Sequence, residues 1–210
     1  MLKLLALIGV TFGFGFLGAS PSQATPIGPT CGTCQGSIYE ISSDGVSLPD
    51  VDPAHETFRV TLTIDTSGYT GTGIKLNAVA IKVSSMLFEM SLVDAPDGAP
   101  AWTTWMGGLN ATGCSGSGSG FDCAYAGLHG VTVPNPTPYS WVFDLTMDNG
   151  VLFTTPNSSS IKARYVDAGG VKVGALVSEN LTLTIVPEPS TALLVALGGS
   201  VLAARRSRRR

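Results

Sequence analysis

The sequence predicts an all-β protein: an antiparallel β-sandwich ectodomain with an N-terminal signal peptide and a single short C-terminal transmembrane helix. Three observations predict the sandwich. Apolar residues recur at every second position in several runs of the middle of the chain, the period of half-buried strands. The runs are broken by turn formers, with 26 Gly and 13 Pro in 210 residues. No middle stretch of ten or more residues carries helical periodicity. Only 13% of residues are charged and 44% are hydrophobic, which excludes a coiled coil and a charged disordered tail and allows one sizeable core.

The elements follow in order. Residues 25–30 form a Pro/Gly-rich lead-in, and residues 36–43 read as a short strand. Asp44-Gly45 reads as a turn and residues 48–53 as a loop. Phe58, Val60, Leu62 and Ile64 alternate with Arg59, Thr61, Thr63 and Asp65, a half-buried strand. After a turn at 66–73, Val79, Ile81 and Val83 share one face of a second run, with Ala78, Ala80 and Lys82 on the other. Met86, Phe88, Met90 and Leu92 make a further apolar face, and residues 94–100 break the chain. Trp102 and Trp105 fall in a short strand at 101–106.

The Gly/Ser/Asn segment 107–120 reads as too polar to pack, and 121–125 as an edge strand. Pro134, Pro136 and Pro138 make a stiff loop. Trp141, Phe143, Leu145 and Met147 give the clearest alternation, which places Trp141 in the core. Asp148-Asn149-Gly150 is hairpin turn chemistry ahead of residues 151–153. Residues 161–166 and 171–177 flank a second hairpin-like turn, and Leu181, Leu183 and Ile185 close the domain. The total is eight to ten strands.

Charge is distributed unevenly. All fifteen acids lie between Glu40 and Glu188, together with six of the twelve bases; the other six are Lys3 and five arginines near the end. An acidic middle argues against nucleic-acid binding, which needs a basic surface to displace counterions. At the start, Lys3 precedes an apolar run at 4–17 and a small, polar stretch ending Ser22-Gln23-Ala24. That is the three-part pattern of a secretory signal peptide, cleaved after Ala24, which implies the Sec translocon and signal peptidase as partners.

At the other end, Val186-Pro187-Glu188-Pro189 leads into an uncharged segment, 191–204, and then into Arg205, Arg206, Arg208, Arg209 and Arg210. As a helix the segment is about 21 Å long against a hydrocarbon core of about 30 Å, a shortfall that bilayer thinning and snorkelling partly cover. The arginines anchor on the cytoplasmic side by the positive-inside rule.

In that order of parts, residues 186–210 resemble the PEP-CTERM sorting domain of Gram-negative bacteria. The resemblance implies recognition by an exosortase, a membrane-embedded cysteine transpeptidase, with processing near the Pro-Glu-Pro motif. It implies a membrane-anchored precursor facing the periplasm, then a location at the cell surface or outside it, commonly linked to exopolysaccharide and biofilm. Domains carried by such tails vary widely, ice-binding ones among them, so the resemblance assigns no chemistry to residues 25–185. Three regions result: signal peptide 1–24, ectodomain 25–185 and sorting signal 186–210.

Within the ectodomain, Cys31, Cys34, Cys114 and Cys123 favour two disulfides after export. Four cysteines allow three connectivities; the favoured one is a local Cys114–Cys123 bond that closes the Gly/Ser loop and leaves Cys31–Cys34 by subtraction, with a pairing such as Cys31–Cys114 or Cys34–Cys123 left open. A redox role for Cys31-Gly32-Thr33-Cys34 is disfavoured because the motif leads into a strand, not a helix N-terminus. Zinc needs tighter ligand pairs than Cys114 and Cys123 offer. His55 and His129 have no metal-ligand spacing.

Asp50, Asp52 and Glu56 beside His55, and Asp94 with Asp97, read as solvated acidic loops in preference to calcium sites, since EF-hand spacing is absent. No metal and no cofactor is expected. The glycines of 13–18 belong to the leader, the Gly/Ser run 113–120 lacks the Lys-Ser/Thr of a P-loop, and no nucleophile elbow is present.

Trp102 and Trp105 lie three apart, hence on opposite faces of a strand: one belongs to the core and the other is the candidate ligand contact, suited to stacking on a sugar ring. The expectation is a non-enzymatic, exported surface or matrix protein with a structural or adhesive ectodomain. The alternative is a carbohydrate-binding module for exopolysaccharide, with a secreted polysaccharide-active enzyme and an ice-binding protein ranked behind it.

Overall fold

The computed structural model describes residues 22–23, 26–49, 52–83, 87–116, 120–148 and 159–181. In chain order the strands are β1 (Ser22–Gln23), β2 (Ile38–Leu48), β3 (His55–Asp65), β4 (Lys75–Lys82), β5 (Leu87–Asp94) and β6 (Thr103–Met106). They continue as β7 (Gly108–Asn110), β8 (Gly113–Gly116), β9 (Asp122–Tyr125), β10 (Val131–Thr132), β11 (Tyr139–Asp148), β12 (Ser159–Val166) and β13 (Val177–Leu181). Helical structure among the described residues is the 3-10 turn Ala99–Ala101.

The strands form two main antiparallel sheets and a small ribbon. The first sheet runs β1-β2-β3-β11-β5; the second runs β13-β12-β4-β9-β6, with β10 also on β4; β7 and β8 pair as the ribbon. Alternation decides which side chains meet. In the first sheet Trp141 lies opposite Leu62, Phe143 opposite Val60 and Leu145 opposite Phe58, all turned inward. In the second, Ile161 lies opposite Ile81 and Ala163 opposite Val79. One buried cluster contains both sets, so the sheets face each other across a shared core, as in a β-sandwich.

Aromatic groups fill the core. Trp102 meets the fully buried Trp141 edge to face, centroids 5.2 Å apart at 86°. Tyr39 of the first sheet and Tyr165 of the second share a hydroxyl–hydroxyl bond of 2.6 Å; Ser37 bonds Tyr165 at 2.9 Å, and Tyr69 stacks on the Tyr165 ring at 4.3 Å. The phenols are thus buried with partners, and burial raises the Tyr165 hydroxyl to about 12 and the Tyr39 hydroxyl well above its ordinary value.

Several expectations are corrected. Asp44-Gly45 does not turn the chain: β2 continues to Leu48, and a register shift between Ser43 and Ser47 absorbs the extra residues as a bulge. Residues 121–125 do not form an edge: β9 is an interior strand between β4 and β6, and Asp122, Cys123 and Ala124 are buried. Its four residues are too few to show periodicity. Trp102 caps the 3-10 turn instead of lying in a strand. Of residues 171–177, Lys172 makes an isolated bridge to Val166 and regular pairing resumes at Val177.

Ser22-Gln23, from the expected leader, pairs with Ser43 and Ser42 of β2. The rest of that leader, Met86, the Asn149-Gly150 turn with residues 151–153, Leu183, Ile185 and the whole sorting signal lie outside the described residues. Among the described residues no helix is long and apolar enough to cross a membrane.

Candidate functional site on the outer face of the second sheet

Strand β4 is buried on both faces. Val79 and Ile81 enter the inter-sheet core, while Ala78 and Ala80 point outward, and their methyl groups leave room for the ribbon β7–β8. Leu109 of the ribbon is only 2% exposed, packed with Ala78, Ala80 and Cys123. Of the segment 107–120, expected to be too polar to pack, the ribbon therefore packs through one leucine, through glycines that need little room, and through the Cys114–Cys123 disulfide. Gly113 takes φ +127, a backbone conformation that residues with a Cβ rarely adopt, where it packs beside the Tyr125 ring.

Arg164 fixes the other side of the ribbon. It is 4% exposed and donates from Nε to the Ala111 carbonyl (2.9 Å), from Nη1 to Asn77 Oδ1 (2.9 Å) and from Nη2 to the Gly170 carbonyl (3.0 Å). Three neutral oxygens accept one bond from each nitrogen of the buried guanidinium and tie the ribbon, the sheet and the turn after β12 together.

Register places further groups on this face. Lys162 lies opposite Ala80, Ala80 opposite Cys123, and Cys123 opposite Trp105, so all four share one row. Lys82 and Phe121 sit two residues along from Ala80 and Cys123, on the same side. Lys162 Nζ stands 4.4 Å and Lys82 Nζ 5.8 Å from the Phe121 ring centre, both within cation–π reach. Among the described residues neither ammonium has a carboxylate within salt-bridge distance. Followed across β13, β12, β4, β9 and β6, the outward positions carry Lys82, Lys162 and Arg164 and no acid. Trp105 is 43% exposed, its ring 6.2 Å from that of Tyr125.

Asp122 points the other way, toward the core, opposite Ile81. It is 1% exposed, its Oδ1 has no hydrogen-bond partner among the described residues, and burial pushes its carboxyl up to about 7.

The other sequence candidates lie apart from this face. Cys31 and Cys34 are joined, and Glu179 lies beside them, accepting a 2.5 Å hydrogen bond from the Thr33 hydroxyl. These three are the metal-capable cluster among the described residues, but a disulfide offers no thiolate. His55 is held by Asp52 at 2.7 Å and Asp148 at 3.5 Å, while Asp50 lies outside the described residues. Asp94 accepts from the Ala95 N–H.

Trp102 is buried, with Nε1 donating to the Pro96 carbonyl at 2.8 Å, so of the two tryptophans Trp105 is the one exposed. Phe121, Lys162 and Asp122 had no motif to mark them; Lys82 was already on the outward face of β4 in the sequence pattern. No protein-family model, curated protein or solved structure matches the chain.

Proposed function

We propose that the chain is an exported surface or matrix protein. Residues 1–24 carry it across the inner membrane. An exosortase then recognises Val186, Pro187, Glu188 and Pro189 with the apolar segment and the arginines that follow. The all-β domain serves outside the cell in a structural or adhesive role, without catalysis. The observation that best supports this reading is the pair of disulfides closing an all-β domain, because such bonds persist in oxidising compartments. Deleting residues 205–210 tests it: the truncated protein is expected to lose membrane retention and processing. Arrival at the same location with the same processed mass would sink the sorting assignment.

A second reading, a carbohydrate-binding module, is favoured by the exposed Trp105 beside Tyr125. An exposed indole at a sheet edge is a platform for a sugar ring. If it serves as one, sugar binding perturbs the tryptophan emission of the native protein and leaves that of Trp105→Ala unchanged; equal responses in both would remove Trp105 from the site.

A further inference from the structure

We propose that β6 is a pairing edge for a second copy of this chain. Two β6 strands meet antiparallel across a two-fold axis, with Trp105 of one copy against Trp105 of the other. This pairing goes beyond the sorting reading and does not rest on it. It gives Trp105 to a protein partner in place of a sugar ring.

Backbone direction leaves this edge open. Gly107 donates to the Phe121 carbonyl at 2.8 Å and Ala126 to the Asn77 carbonyl at 2.9 Å. In an antiparallel pair, hydrogen-bonded positions alternate with non-bonded ones. Counting from those two bonds, Asp122 and Ala124 bond β4, while Cys123 and Tyr125 bond Trp105 and Thr103. The N–H and C=O groups of Thr104 and Met106 therefore point away from the sheet, and among the described residues nothing bonds them. The other edge of this sheet, β13, meets the chain's own lead-in: the Ser178 N–H donates to the Thr33 hydroxyl at 3.3 Å, and that hydroxyl donates to Glu179.

Two-fold symmetry fixes the register. With Trp105 opposite Trp105, the free groups of Thr104 meet those of Met106 of the second copy, and the reverse. Shifted one way, Met106 would face Trp102, whose N–H is committed to Ala99; shifted the other way, Thr104 would face Gly108, which pairs with Gly116 in the ribbon. The Trp105 pair is then of the non-hydrogen-bonded, closer kind, with Cα atoms about 4.5 Å apart. Two indoles, each 43% exposed, cover one another there, and Met106, 65% exposed, comes opposite Thr104.

Charge selects a second copy as the occupant. Between Glu40 and Glu188 fifteen acids accompany six bases, so two copies repel wherever acidic surfaces meet. β6 reads Thr-Thr-Trp-Met and pairs β9 without a register shift. It has no charge, proline or bulge to guard its edge, only its shortness. A strand of four residues makes a weak contact, one suited to copies crowded on a surface.

Sedimentation of the exported protein from about 10 µM to about 1 mM tests the pairing. A reversible equilibrium that stops at the dimer is expected, because an isologous contact closes. Trp105→Lys sets two like charges opposite one another and should weaken dimerisation by about tenfold or more. Met106→Pro removes an outward N–H while leaving the bonds to β9 in place, and should weaken it similarly. A native melting temperature in each variant separates lost pairing from lost folding. Trp105→Cys should form a disulfide-linked dimer on oxidation, since that Cα spacing fits a disulfide, whereas Thr104→Cys, opposite Met106, should not.

A monomer throughout the range would overturn the proposal. Dimerisation retained in both Trp105→Lys and Met106→Pro, or growth past the dimer, would move the contact to another surface. Cross-linking through Thr104→Cys and not Trp105→Cys would overturn the two-fold register. A monomer whose tryptophan emission responds to a neutral glucan oligomer, with no response in Trp105→Ala, would return Trp105 to the sugar reading.

Discussion

Asp122 shows how one side chain can set a pH dependence. Its ordinary carboxyl value is 3.8, and in the fold it stands at about 7 because burial penalises the charge. A raised acid favours the folded state fully at pH below 3.8, and that contribution is lost as pH rises through 7. The native protein should therefore melt at a lower temperature at pH 8 than at pH 5. Asp122→Asn should flatten that difference, with its gain confined to the higher pH; a variant that follows the native curve at both pH values would place the charge elsewhere. Trp141, fully buried against Trp102, carries a different weight. Trp141→Ala should lower stability by about 3–5 kcal/mol in denaturant unfolding, from lost transfer energy and the cavity left behind. A midpoint within error of the native one would contradict its burial.

At the scale of an element, the ribbon β7–β8 is the informative case. It is held by Leu109, by the Arg164 bond to Ala111 and by Cys114–Cys123. A chain-entropy estimate for so short a loop gives the disulfide about 3 kcal/mol. Cys114→Ser/Cys123→Ser should lose that amount and become sensitive to protease within the ribbon. Leu109→Ala should likewise open the ribbon to cleavage while the paired core of β3 and β11 stays resistant. The ribbon rests on the outside of the second sheet, so it can detach without exposing the inter-sheet core. Cleavage in the β3–β11 region before the ribbon would show that the two are one cooperative unit.

Across the whole molecule, the chain changes sheet at each of the connections β3–β4, β4–β5, β5–β6, β10–β11 and β11–β12. Most pairing is therefore non-local, and neither sheet forms from one continuous stretch. The exceptions are β1–β2, β2–β3, β7–β8 and β12–β13, which pair strands consecutive in the chain. β1 adds two residues to the edge of β2, while Ile27 exchanges two backbone hydrogen bonds with Tyr39 at 2.8 Å. Cleavage after Ala24 would remove the first contact and keep the second. A chain beginning at Thr25 should thus unfold within about 0.5 kcal/mol of one beginning at Gly18, the range usual for changes away from the core. A larger loss would make Ser22-Gln23 part of the working domain and move the expected cleavage site.

The sequence by itself determined the all-β class, the inward sets Phe58–Ile64 and Trp141–Met147 and the two faces of β4, and it favoured the local pairing of the cysteines among three that it left open. These are properties of period two and of short chain separations, which a linear reading can see. The tertiary structure alone decided that β9 is interior, that Leu109 of the ribbon packs on Ala78 and Ala80, and that Trp105 and not Trp102 is exposed. It alone brought Lys82 of β4 and Lys162 of β12 over Phe121, the residue ahead of β9. The physical reason is common to all of these: which strand neighbours which, and what covers a sheet's outer face, depend on contacts far apart in the chain, and periodicity within one strand carries no record of them.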